Sequence, residues 1–214
     1  MRTSPVVNCG DLECMRARFA AASAIGASSV HVDVGDGVFA PVRIGGAPAD
    51  LKGLLAESPG MKANVHLMVA EPEAAIEDWL AAGAKRAVVH VEAVKNWPKI
   101  SALGEKYGAE IFLGIKREMP VAALNGFFKD PHLAGVHFLA VDAGFSGQKF
   151  DPAVVQMIKD VRAEAPHLHL SVDGGVNLET ARAVKEAGAD EVVSSTYIFG
   201  SPDPKKAYEE LVAL

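Results

Sequence analysis

Apolar residues in this chain fall into short continuous runs, and the stretches between the runs have helical spacing. Four segments share one order: a helical stretch, a Gly-Ala pair, then an apolar, mostly β-branched run. They are Ala20 to Ile25 with Gly26-Ala27 and Val30 to Val34; Ala74 to Ala82 with Gly83-Ala84 and Ala87 to Val91; Lys99 to Tyr107 with Gly108-Ala109 and Ile111 to Ile115; and Thr180 to Ala187 with Gly188-Ala189 and Glu191 to Val193. A glycine just past a helix takes the left-handed conformation that ends it. Short continuous apolar runs are what strands buried on both faces of a parallel sheet look like.

Extending this order along the chain predicts eight strands, near 5–8, 30–34, 64–69, 86–91, 110–115, 135–141, 169–172 and 191–194. Helices follow each, near 11–25, 48–57, 72–82, 96–107, 121–127, 152–164, 177–187 and 203–213. Pro72, Pro120, Pro152 and Pro204 fit first-turn positions, and Asp151 and Asp203 fit N-caps. Strict alternation implies parallel strands joined by right-handed crossovers. Eight units of about 25 residues each imply an α/β chain folded as a single (β/α)8 TIM barrel over residues 1–214, with a doubly wound open sheet as the rival. No linker or composition shift divides the chain.

Composition narrows the function classes. The 214 residues carry 21 Lys+Arg and 27 Asp+Glu, a net charge of -6, and half are apolar. That apolar share excludes disorder, and the acidic balance argues against nucleic acid as a partner. No apolar run is long enough to span a membrane. The start, Met1-Arg2-Thr3-Ser4-Pro5, lacks the apolar segment of a secretory signal, so a cytoplasmic location is expected. Cys9 and Cys14 would close only a short loop, and free thiols in a reducing compartment are the expectation for them.

In such a barrel, chemistry belongs at the C-terminal ends of the strands. His31 and Asp33, two apart on the second predicted strand, share a face. Buried there they need a metal or each other. His66 lies on the third strand, where a lone histidine is more often structural. Asp173 ends the seventh and is followed by Gly174-Gly175. Together these four side chains suit one divalent ion such as Zn, Fe, Mn or Co. Gly144, Phe145, Ser146 and Gly147 after the sixth strand, Gly174 and Gly175 after the seventh, and Ser195 and Thr196 after the eighth form three loops that can aim amides at a phosphate. His90 ends the fourth strand and is expected to line the mouth. His132, His137, His167 and His169 are expected in connections or at strand starts, in solvated or structural roles.

At this level of detail the chain resembles the ribulose-phosphate 3-epimerases over nearly its whole length. His31-Val-Asp-Val-Gly-Asp-Gly is similar to the family's H-V-D-V-M-D-G, Val65-His66-Leu67-Met68 to V-H-L-M, Gly144-Phe-Ser-Gly-Gln-Lys-Phe to G-F-G-G-Q-K/S-F, Val172-Asp-Gly-Gly-Val to V-D-G-G-V, and Ile198-Phe199-Gly200 to I-F-G. The resemblance implies a barrel of the ribulose-phosphate-binding type and metal ligands His31, Asp33, His66 and Asp173, with His66 also beside the substrate. It implies Asp33 and Asp173 as an acid–base pair that epimerises C3 of a ketose phosphate through a metal-stabilised 2,3-enediolate. D-Ribulose 5-phosphate, going to D-xylulose 5-phosphate, is the default substrate. Family members are commonly homo-oligomers.

Departures from the family pattern fall on the substrate side. Val6 stands at a substrate-contacting Ser, Gly35 and Leu139 replace two methionines while Met68 is kept, Ala143 replaces a Pro, Ser146 a Gly, Val42-Arg43 a polar pair, and Ser195-Thr196 a Gly-Ser pair. Gly35 is expected to enlarge one wall, which makes a six-carbon ketose phosphate such as D-allulose 6-phosphate an alternative substrate. A barrel lyase of the hexulose-phosphate synthase kind is disfavoured because Asp33-Val-Gly-Asp36 has no Lys where such enzymes resemble D-x-K-x-x-D. A non-catalytic sugar-phosphate-binding barrel is disfavoured because both Asp and both His are retained.

Overall fold

A computed structural model describes all residues 1–214. Eight parallel strands form its centre: β1 (Arg2–Val7), β2 (Ser29–Asp36), β4 (Lys62–Met68), β5 (Arg86–His90), β6 (Glu110–Lys116), β7 (Leu133–Leu139), β8 (His169–Asp173) and β9 (Glu191–Ser194). A two-residue strand, β3 (Arg43–Ile44), pairs antiparallel with the end of β2. The order runs from β1 through β9, β8, β7, β6, β5 and β4 to β2, and β2 pairs with β1 again, so the sheet closes. The TIM barrel is therefore observed and the open sheet is excluded.

The surrounding helices are α1 (Leu12–Ala24), α2 (Pro48–Glu57), α3 (Pro72–Ala81), α4 (Trp97–Tyr107), α5 (Ala153–Glu164), α6 (Leu178–Ala187), a short α7 (Thr196–Phe199) and α8 (Pro204–Val212). No helix is long and apolar enough to cross a membrane. The Gly-Ala junctions behave as their pattern requires, with Gly26, Gly83, Gly108 and Gly188 all at positive φ. Asp11, Asn96, Asn177 and Asp203 cap helices by accepting backbone amides. The helix expected at 121–127 shortens to one 3-10 turn, Val121–Leu124. Asn125 and Gly126 follow, and four apolar residues are too few for a helical face. The first strand lies about three residues before its expected start, because its tail pairs with β9 from Arg2 onward.

The thiol expectation for Cys9 and Cys14 is corrected. The tight turn from β1 into α1 brings their Cα atoms to 5.7 Å, and the two are disulfide-bonded.

Alternation divides the strands cleanly. Val7, Val30, Val32, Val65, Leu67, Val89, Leu113, Phe138, Leu170 and Val192 point outward into one continuous core shared with the helices. The inward face is largely polar yet buried. At the N-terminal end Arg86, Glu191 and Ser4 join in a plug: Arg86 Nη1 donates to Glu191 Oε2 at 2.7 Å, and Ser4 Oγ donates to Glu191 Oε1 at 3.1 Å. Nearer the C-terminal end the lining changes to imidazole and carboxylate.

Candidate active site

Four strands bring the imidazoles and carboxylates together. In the β2–β4 register Asp33 lies opposite His66, and in the β7–β8 register Leu139 lies opposite Asp173, with His137 opposite Ser171 one layer below. Asp33 Oδ1 sits 3.5 Å from His31 Nε2 and 3.3 Å from His66 Nδ1. Asp173 Oδ2 sits 3.9 Å from both His66 Nδ1 and His137 Nε2. All four residues expected to hold a metal therefore converge, and His137 joins them.

Four atoms in this cluster, His31 Nε2, Asp33 Oδ1, His66 Nδ1 and His137 Nε2, are buried without a hydrogen-bond partner. Such orphans are expensive, about 1–3 kcal/mol each and more for charge. The hydrogen-bond network explains one of them. Glu92 only accepts, so His90 donates to it from Nδ1 at 3.2 Å and presents a bare Nε2. His66 then donates from Nε2 to His90 Nε2 at 2.8 Å, which leaves the His66 Nδ1 lone pair facing the Asp33 carboxylate. This tautomer is assigned from the network. A lone pair aimed at an anion calls for a cation between them, and a set of imidazoles and carboxylates fits a divalent ion.

The electrostatics split the two carboxylates. Burial would raise the Asp33 carboxyl, but the neighbouring His31 imidazole, whose proton Asp33 favours in turn, outweighs it and holds Asp33 well below the usual range. Asn8 Nδ2 donates to its other oxygen at 2.9 Å. Asp173 is pushed upward, first by burial and then by the Asp33 charge. Burial, helped by neighbouring His90 and opposed by Asp33, lowers His66 to about 4, so its ring is neutral and able to ligate. Two carboxylates pushed apart in this way are able to serve as a base and an acid.

Above the cluster opens a cavity of about 290 Å³. Its wall carries Asp33, Asp173 and Met68, together with Gly144, Phe145, Ser146, Gly147, Gly174, Gly175, Ser195 and Thr196, so all eight residues expected at the phosphate loops line it. Gly144, Gly147, Gly174 and Gly175 have positive φ. The Gly147 and Gly175 amides donate to no acceptor within the chain. Gln148 holds the first loop by donating to the Asp142 and Phe145 carbonyls at 2.7 and 2.8 Å.

With this arrangement established, comparison with known proteins identifies the chain. The model of the Ribulose-phosphate 3 epimerase family matches residues 3–199. The chain belongs to that family. It is 35% identical over 192 residues to a ribulose-phosphate 3-epimerase of Bacillus subtilis (strain 168), covering 87% of this chain and 86% of the relative. A second, from Chlamydia muridarum (strain MoPn / Nigg), is 32% identical over 202 residues, covering 92% and 87%. A solved 3-hexulose-6-phosphate synthase superposes with a TM-score of 0.73 at 17% identity, covering 100% of this chain and 99% of that one, which speaks to the fold alone.

Some expectations for family positions change in the structure. Val6, Leu139, Ser146 and Ser195 line the cavity, but Gly35 does not. A Cβ at Gly35 would stand 2.6 Å from the Val42 carbonyl, because β3 folds back onto this position. The missing side chain admits backbone and does not widen the site. His90 is fully buried behind His66, away from the mouth, with the Phe39 ring 4.7 Å from its own. His137 is not at a strand start. It lies in the middle of β7 with its ring 5.0 Å from that of His31. Counting back by two from Leu139, which faces the mouth, would have placed it inside the barrel.

Proposed function

We propose that this chain is a metal-dependent isomerase that epimerises C3 of a ketose phosphate, with D-ribulose 5-phosphate as substrate and D-xylulose 5-phosphate as product. The observation that carries the reading is the pair Asp33, buried, and Asp173, partly buried, two carboxylates of opposite proton affinity at the floor of a cavity walled by three amide-bearing loops. Family membership supplies the reaction class.

Inverting C3 requires removal of the proton α to the C2 carbonyl and return of a proton to the opposite face. Asp33, kept ionised by His31 and steadied by Asn8, takes the proton from one epimer. Asp173, whose environment favours its proton, gives one to the other face, and the roles exchange in reverse. The intermediate between these transfers is a 2,3-enediolate. His31, Asp33, His66 and Asp173 are the residues that would hold a divalent ion, and such an ion supplies Lewis-acid stabilisation of developing negative charge. Gly144 through Gly147, Gly174, Gly175, Ser195 and Thr196 would anchor the phosphate, so that remote binding positions the reacting carbon.

The test is proton NMR in deuterated water. Purified protein is given D-ribulose 5-phosphate or D-allulose 6-phosphate, with and without a chelator. Deuterium is expected at C3 of the pentulose phosphate, with exchange lost on chelation and restored by added divalent metal. Exchange in neither sugar would overturn the reading, and faster exchange in the hexulose phosphate would reassign the substrate.

A further inference from the structure

We infer that His137 is a third imidazole ligand of the metal centre, beside His31 and His66. This rests on the metal-dependent reading above and deepens it. His137 enters from β7, a strand that contributes no other residue to the proposed ligand set. Its side chain is fully buried. One ring nitrogen, Nδ1, is 2.7 Å from Ser171 Oγ, and the other, Nε2, has no partner. That free nitrogen points into the cluster, 3.9 Å from Asp173 Oδ2. The ring stacks on His31 at 17° and meets His66 edge-on at 4.7 Å. One ligand atom each from His31, His66, His137 and Asp173 lies within 4.8 Å of every other. Bonds of roughly 2.0–2.1 Å to one ion gather such atoms with small side-chain shifts.

A purely packing role does not account for this residue. A histidine that only filled space would leave Nε2 buried and unpaired, a desolvation cost that an apolar side chain would not carry. Coordination removes that deficit. With Nε2 on the ion, Ser171 accepts from the distal N–H of His137 and aims the ring, as His90 does for His66. Ser171 lies two residues before Asp173 on the same inward face, so β8 supplies both a carboxylate and the hydroxyl that orients its neighbour. A third imidazole also favours borderline ions such as Zn²⁺, Co²⁺ and Fe²⁺ over the harder Mg²⁺ and Mn²⁺.

The experiment uses purified full-length protein loaded with Zn²⁺ or Co²⁺. X-ray absorption of the zinc form counts imidazoles, and three are expected. His137→Leu is expected to weaken Zn²⁺ binding at least 10-fold in competition with a chromogenic chelator, and to change the visible ligand-field bands of the cobalt form. Ser171→Ala should weaken binding about 10-fold with smaller spectral change. Circular dichroism and melting of the metal-free proteins check the fold; if His137→Leu does not fold, the imidazole count on unmutated protein decides. Two imidazoles with tight zinc binding, or a folded His137→Leu with unchanged affinity and spectrum, would overturn the role of His137 alone. Failure of the unmutated protein to take up either metal would overturn the metal-dependent reading with it.

Discussion

Glu191→Gln isolates the charge of the plug at the closed end of the barrel. Glu191 is 3% exposed and accepts from Arg86 Nη1 at 2.7 Å and Ser4 Oγ at 3.1 Å, with His169 Nε2 at 2.9 Å. Burial would raise its carboxyl, but His169 and Arg86 outweigh burial and lower it from 4.5 to about 2. A tenfold change in proton affinity is about 1.4 kcal/mol, so this environment favours the ionised form by about 3 kcal/mol. An independent route agrees. Removing one member of a buried ion pair typically destabilises by about 3–5 kcal/mol. The low end applies here, because Gln keeps the shape and Arg86 retains a half-exposed Glu110 partner at 2.9 Å. For a chain of this length each kcal/mol moves the melting temperature about 2–4 °C, so the variant should melt roughly 10 °C lower at neutral pH. The sign with pH follows from a depressed carboxyl. Its contribution is complete above the unfolded value of 4.5 and disappears as pH falls toward about 2. Melting followed by circular dichroism across that range should show the gap closing from pH 4.5 downward, with epimerisation at 25 °C retained. A gap under about 2 °C at neutral pH, or one that widens in acid, would refute this account of the plug.

Three further outcomes bear on the open end. Asp33→Asn and Asp173→Asn should each slow C3 deuterium exchange by about 10²–10⁴-fold, and exchange within a factor of ten of the parent would remove that carboxylate from proton transfer. Glu92→Gln removes the anion that orients His90 and, through it, His66, so zinc affinity should fall about 10–100-fold in chelator competition; unchanged affinity would separate this relay from the metal. Gly175→Ala forces a side chain onto a position at φ +65° where its Cβ would collide with the Phe150 backbone, so KM for the sugar phosphate should rise about tenfold or more if, as proposed, this loop binds the phosphate; an unchanged KM would place phosphate binding elsewhere.

The barrel could be read from the sequence because its causes are local. A glycine that ends a helix and an apolar run buried on both faces are properties of adjacent residues, and their fourfold repetition within a chain of alternating strands and helices leaves few topologies. His31 and Asp33, two apart on a strand, and Asp173, at a strand tip beside glycines, are legible for the same reason, whereas His66, alone on its strand, is singled out only by the family resemblance. The helix expected at 121–127 failed where local pattern was weakest, and the structure keeps only one turn there.

What the tertiary structure decided is which side chains from distant strands share one layer. That depends on register and closure, which no single segment encodes. His137 looks like any isolated histidine until β7 pairs with β8 and the closed barrel turns its unpartnered nitrogen toward Asp173. His90 reads as a mouth residue until barrel closure puts it behind His66, where, held by Glu92, it sets that ring's tautomer. Gly35 reads as a gap until β3 folds over it. Cys9 and Cys14 read as thiols until the turn into α1 brings them together. The sequence by itself determined the scaffold and singled out the two carboxylates proposed for the chemistry. Three-dimensional closure decided their proton affinities and their partners, because desolvation and charge act through space.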